Sequence, residues 1–116
     1  MNLFDIDQIA ANLENHIKAL TVDIGERGVY LPANLTRTAD YITRFYEGIG
    51  LSVERESYSF HNFEVSNVVT EVEMRDRPGK RYLLGAHYDS VSGTVGADDN
   101  GSAVAALPYN LRWQEF

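Results

Sequence analysis

Residues 87–102, "HYDSVSGTVGADDNGS", gather one histidine, three aspartates and three glycines, with no lysine or arginine among them. His87 and Asp89 stand two apart, so on a strand both side chains point to one face. Gly93 and Gly96 then allow the chain to fold back and bring Asp99 towards that pair. Imidazole and carboxylate so placed can share a metal ion, or the carboxylate can orient the imidazole and raise its basicity. The chain contains no cysteine. Any metal must therefore be held by histidine and carboxylate, which suits zinc, or another divalent ion such as manganese or cobalt. Each piece by itself also fits a plainer role, since Asp98-Asp99-Asn100-Gly101 reads as a turn followed by a helix cap. The stretch is either a polar turn or half of a metal site. A calcium loop of the EF-hand kind is excluded, because its ligand spacing and distal glutamate are missing.

Something must position these groups. From Asp5 to Leu20 the apolar residues Ile6, Ile9, Ala10, Leu13, Ile17 and Leu20 repeat at helical spacing. Asp5 followed three residues later by Gln8 resembles a capping box. Thr21 to Pro32 lacks periodicity and reads as a loop, after which Asn34 or Thr36 is expected to cap a second helix ended by Gly48 and Gly50. Leu51 to Phe60 and Phe63 to Met74 are rich in Val, Tyr and Phe, and the short link His61-Asn62 suggests an antiparallel pair. Arg75 to Gly79 is a turn by composition. Lys80 to His87 reads as a third strand whose apolar centre, Tyr82 to Ala86, is expected to be an inner strand. That would place His87 at the carboxyl end of a strand, where open α/β sheets bind ligands. A third helix is expected from Asn100 to Leu107, stopped by Pro108, which lacks an amide donor. The expected class is α/β, in the order α-α-β-β-β-loop-α, with a partial mixed sheet flanked by helices. Residues 1–107 read as one partial domain and 108–116 as a tail, whose Tyr109, Trp113 and Phe116 need a surface to cover them.

The net charge of −7 opposes binding to phosphate backbones and anionic membranes, so neither nucleic acid nor membrane is an expected partner. No window approaches eighteen consecutive apolar residues and the N-terminus shows no secretory signal pattern, which makes the cytoplasm the default expectation.

Taken in order, "GAHYDSV" and "GADDNGSAVAAL" resemble the zinc exopeptidase family that includes bacterial aminopeptidases, carboxypeptidase-like glutamate hydrolases and glutaminyl cyclases. The resemblance extends back through "NVVTEVE", "RTADYITRFYEGIGL" and "GERG", where the family more often has Gly-Pro-Arg, and it covers nearly the whole chain up to Leu107. It implies the N-terminal part of a three-layer sandwich and a zinc-dependent aminopeptidase-like hydrolase acting on a peptide or aminoacyl substrate. By position, it implies that His87 is a ligand to one zinc, that Asp89 orients His87, and that Asp99 bridges two zincs. A cis peptide is implied after Asp99. Asp98 is then a neighbour and not a ligand. His16, beside Ile17 on the first helix, and His61, in the hairpin turn, are expected to pack or lie at the surface.

In that family the remaining ligands and the general base come from later chain: a Glu-Glu pair, another aspartate and a distal histidine. This sequence has no Glu-Glu dipeptide, and Glu115 is the only carboxylate after Ser102. It also has Ala103 where the family usually has a second glycine. The expectation is a chain that stops before its site is complete and is inactive, or nearly so, by itself. The alternative is a non-catalytic module that associates with another copy or another protein through an uncovered sheet edge and the aromatic tail, a homo-oligomer being expected.

Overall fold

The computed structural model describes residues 5–73 and 79–109, and these form three helices and a two-stranded antiparallel sheet. The mixed α/β class expected from the sequence is therefore the one observed. Helix α1 runs Ile6–Lys18. Its N-cap is Asp5, whose carboxylate accepts the Gln8 amide at 3.0 Å. The reciprocal half of the capping box is not made, because the Gln8 side chain donates instead to Asn12, one turn on.

Where a loop was expected from Thr21, the chain keeps winding as a wider π turn over Ala19–Ile24, and Gly25 ends it with φ 90°. Leu20 lies inside this turn and is almost fully buried. Tertiary burial thus extends the helical path past the point where the pattern fades. Helix α2, Pro32–Gly48, is capped at Leu31, ahead of both expected caps, Asn34 and Thr36. Pro32 is the first helical residue, a position whose amide would have no partner in any case. Asn34, freed from capping, donates to the Glu26 carbonyl. Leu35, Thr38, Ala39 and Tyr46 form the buried face of α2.

Strands β1, Val53–Phe60, and β2, Phe63–Thr70, pair with Phe60 opposite Phe63 and Val53 opposite Thr70. His61 and Asn62 both have positive φ, 46° and 65°, as a two-residue type I′ turn requires. Helix α2 packs on β2, and Arg55 of β1 reaches Asp40 of α2 at 3.0 Å.

The third strand is corrected. Among the described residues, 80–90 joins no ladder, and Leu83 is 96% exposed. An apolar run becomes an inner strand only when neighbours supply both backbone hydrogen bonds and cover, and among the described residues the hairpin β1–β2 forms no ladder with it. The turn expected at 75–79 lies outside the described residues except for Gly79, which has φ 81°. Helix α3 is shorter than expected: a π turn over Ala97–Gly101 leads into Ser102–Ala106. The α-helix ends at Ala106 and passes into a 3₁₀ turn over residues 107–109, so the expected stop at Pro108 is a tightening of the winding. The tail from 110 onward lies outside the described residues.

Candidate metal centre

The segment carrying His87 is anchored at Tyr88, whose hydroxyl donates to the Ser66 carbonyl of β2. From there the chain turns through Gly93 and Gly96, both with positive φ, and enters the π turn that carries Asp99. Asp99 and Asn100 depart from helical geometry, and the peptide bond between them is cis, as the resemblance implies.

The three side chains singled out from the sequence come together. His87 Nδ1 lies 3.0 Å from Asp89 Oδ1, and His87 Nε2 lies 3.2 Å from Asp99 Oδ1. The Asp98 carbonyl accepts the Ser102 hydroxyl, so this residue belongs to the helix start. The other two histidines stand apart. His16 is buried against Tyr41 and Phe45, and His61 sits in the hairpin turn.

The arrangement has a chemical consequence. A ring that donates from Nδ1 to Asp89 presents, when neutral, a lone pair at Nε2. Asp99 presents lone pairs to the same point. Two acceptors 3.2 Å apart are satisfied either by a proton on Nε2 or by a cation that both can ligate. Two ligands of one tetrahedral ion, each about 2.0–2.1 Å from it, lie roughly 3.3 Å apart, so the spacing fits a shared zinc-sized ion. Asp89 stands at the opposite nitrogen and completes the carboxylate–histidine arrangement that fixes a ligating ring. The donor set is short, however: among the described residues no three histidine, cysteine or acidic side chains converge to hold a metal.

The family model described as Peptidase family M28 matches residues 67–113, the span from β2 through His87, Asp89 and Asp99. Over that stretch the chain is similar to the M28 peptidases. A relative from Escherichia coli (strain K12), the uncharacterized protein YfbL, is 33% identical over 82% of this chain and 31% of its own length. The vacuolar membrane protease of Clavispora lusitaniae is 31% identical over 87% of this chain and 9% of its own. The protein of the same description from Saccharomyces cerevisiae (strain YJM789) is 39% identical over 44% of this chain and 5% of its own. The chain thus spans about a third of YfbL and far less of the vacuolar proteases. No solved structure matches it. Among the described residues no helix is long and apolar enough to cross a membrane.

Residues that sequence reasoning passed over surround this M28-like segment. Arg27 is fully buried and Ser90 nearly so, and the Glu26 carboxylate accepts the Gly93 amide. The available signal was a lone arginine set between glycines in "GERG", noted for its resemblance and not for its chemistry. Burial pushes the Arg27 guanidinium below its usual range, and the charge of Asp89 opposes that shift.

Proposed function

We propose that this chain contributes His87, Asp89 and Asp99 to a zinc-dependent peptidase site of aminopeptidase type. The observation that carries the reading is the 3.2 Å approach of His87 Nε2 to Asp99 Oδ1 on a ring whose other nitrogen is taken by Asp89. His87 and Asp99 would be the ligands, with Asp99 available to a second ion through its other oxygen. A zinc ion held by His87 and Asp99 would supply Lewis-acid chemistry for a substrate carbonyl and a water that is nucleophilic near neutral pH. Asp89 holds the His87 ring in the tautomer that keeps its Nε2 lone pair free. The side chains of His87 and Asp99 are 57% and 75% exposed, which leaves the pair open to a peptide or aminoacyl substrate and to further ligands.

Two donors do not complete a hydrolytic centre, and a general base is needed as well. We infer that these must come from chain outside the 116 residues or from a second molecule, and that this chain alone turns over nothing. Calorimetry on metal-free protein tests the ligand pair. Zinc uptake is expected to weaken at least tenfold in Asp99→Ala, in line with losses for disturbed metal sites. Uptake indifferent to Asp99 would remove the reading. Hydrolysis of an aminoacyl chromogenic substrate by the pure chain would refute its inactivity.

A second reading, association with another copy, is favoured by the exposure of Tyr82, Leu83 and Leu84 in consecutive positions. An exposed apolar segment that joins no ladder among the described residues favours association, with Leu83 and Leu84 the side chains to be covered.

A further inference from the structure

The contact between His87 and Asp99 is exposed, and so weak a contact cannot by itself hold their separation across the intervening loop. Arg27 can. It is 0% exposed, and all its guanidinium hydrogen bonds go to backbone carbonyls. Nε donates to Tyr88 at 2.8 Å, between His87 and Asp89. Nη1 donates to Leu20 and Gly25 on its own side at 2.9 Å, and to Val95 at 2.7 Å. Nη2 donates to Gly96 at 3.1 Å, and the same Gly96 carbonyl accepts the Gly101 amide at 3.0 Å. One planar cation therefore grips the chain beside His87 and again at Val95 and Gly96, just before Asp99, and the Gly96 carbonyl it holds also ties in Gly101 beyond Asp99. Its backbone adds a reciprocal pair with Ser90: the Arg27 amide donates to Ser90 Oγ at 2.9 Å, and the Ser90 amide to the Arg27 carbonyl at 3.2 Å. The fit is tight at Gly96, where an added Cβ would stand 2.5 Å from the Asp99 carbonyl, 2.8 Å from Ser90 Cβ and 3.1 Å from Arg27 Nη2.

We propose that Arg27 is a positioning residue for the candidate site: its buried guanidinium spans the loop between His87 and Asp99 and sets the distance between Nε2 and Oδ1. The inference rests on the reading of those two residues as a ligand pair. Lysine cannot replace it, because an ammonium lacks the planar fork that reaches carbonyls on both sides of the loop.

The test uses the asymmetry of the ring. The bond from Nδ1 to Asp89 is local, two residues along the chain, whereas the approach of Nε2 to Asp99 depends on the clamp. Long-range proton–nitrogen correlation spectra of His87 in the full chain, at one fixed pH, compare wild type, Arg27→Lys and Asp99→Ala. In Arg27→Lys the Nε2 resonance is expected to move to its Asp99→Ala position while Nδ1 stays, with helical circular dichroism unchanged. Zinc affinity is expected to fall about tenfold or more in parallel. An unmoved Nε2 in folded Arg27→Lys overturns the proposal, as does equal movement of both nitrogens. If Arg27→Lys unfolds, Ser90→Ala decides: the same asymmetry at smaller amplitude supports positioning, and its absence assigns Arg27 to the fold alone. Failure of the wild type to bind zinc would remove the metal reading but leave the ring measurement valid.

Discussion

His16 and His87 are both imidazoles beside an oxygen partner, and burial separates their roles. His16 is 8% exposed, its Nδ1 meets the Tyr41 hydroxyl, its ring packs edge-on with Phe45, and its Nε2 has no hydrogen-bond partner among the described residues. Removing a charge from water is costly, so burial lowers its pKa below the ordinary 6.5. The folded state then binds this proton less readily than the unfolded chain does. Stability is undiminished above the unfolded value, declines as pH falls through it, and levels off once the folded imidazole is protonated too. The urea midpoint of the wild type is expected to drop between about pH 7.5 and about pH 5.5, and the drop to shrink in His16→Gln. Burial acts in the other direction on Tyr46, pushing its hydroxyl up to about 12. The adjacency of His16 to Ile17 on an amphipathic pattern made its packing role readable from the sequence. The role of Arg27 was not readable, because a charged residue in a glycine-flanked loop normally marks solvent, and only the closing of the chain around it supplies the carbonyls that satisfy it.

The hairpin shows how far local chemistry carries an element. Alternating Val, Tyr and Phe on both sides of a two-residue link set the pairing, and the observed register, with Tyr58 opposite Val65, follows from that link. His61 and Asn62 are nonetheless not the best residues for a turn in which both have positive φ. Left-handed backbone costs roughly 1–2 kcal/mol for a residue with a side chain and much less for glycine. Replacing the pair with Asn-Gly is expected to raise stability by about 1 kcal/mol, read as a higher denaturant midpoint with an unchanged slope. The first two helices were legible from spacing, though their ends were not. Pro32 takes the first helical position of α2, and the π turn over Ala19–Ile24 prolongs the path of α1 because Leu20 has a core to enter. The strand expected at 80–87 fails for the complementary reason, since strand formation needs a partner that the pattern of the strand itself does not contain.

At the scale of the molecule, α1, α2 and α3 gather Leu20, Leu35, Ala39, Tyr46 and Ala105 into a small core, while the segment from Tyr82 to Leu84 stays outside it. An apolar segment left in water favours association, and Leu83, nearly fully exposed, is where a charge interferes most directly. Sedimentation of the wild type is expected to show mass rising with concentration, and Leu83→Lys to suppress the rise without loss of helical signal. A monomer at all concentrations would set the association reading aside and leave the peptidase reading untouched.

The sequence by itself determined the mixed class, the hairpin with its turn and the identity of the two side chains, Asp89 and Asp99, that meet His87. These depend on residue type and short spacing, which the chain carries with it. Tertiary structure alone decided that Asp99 meets the ring at Nε2 and not at the nitrogen already held by Asp89, that Arg27 is enclosed by carbonyls from both sides of the loop, and that residues 80–87 find no ladder among the described residues. Each of these is a relation between segments distant along the chain. Such relations arise only when packing has fixed which backbone groups have partners and which side chains have left water.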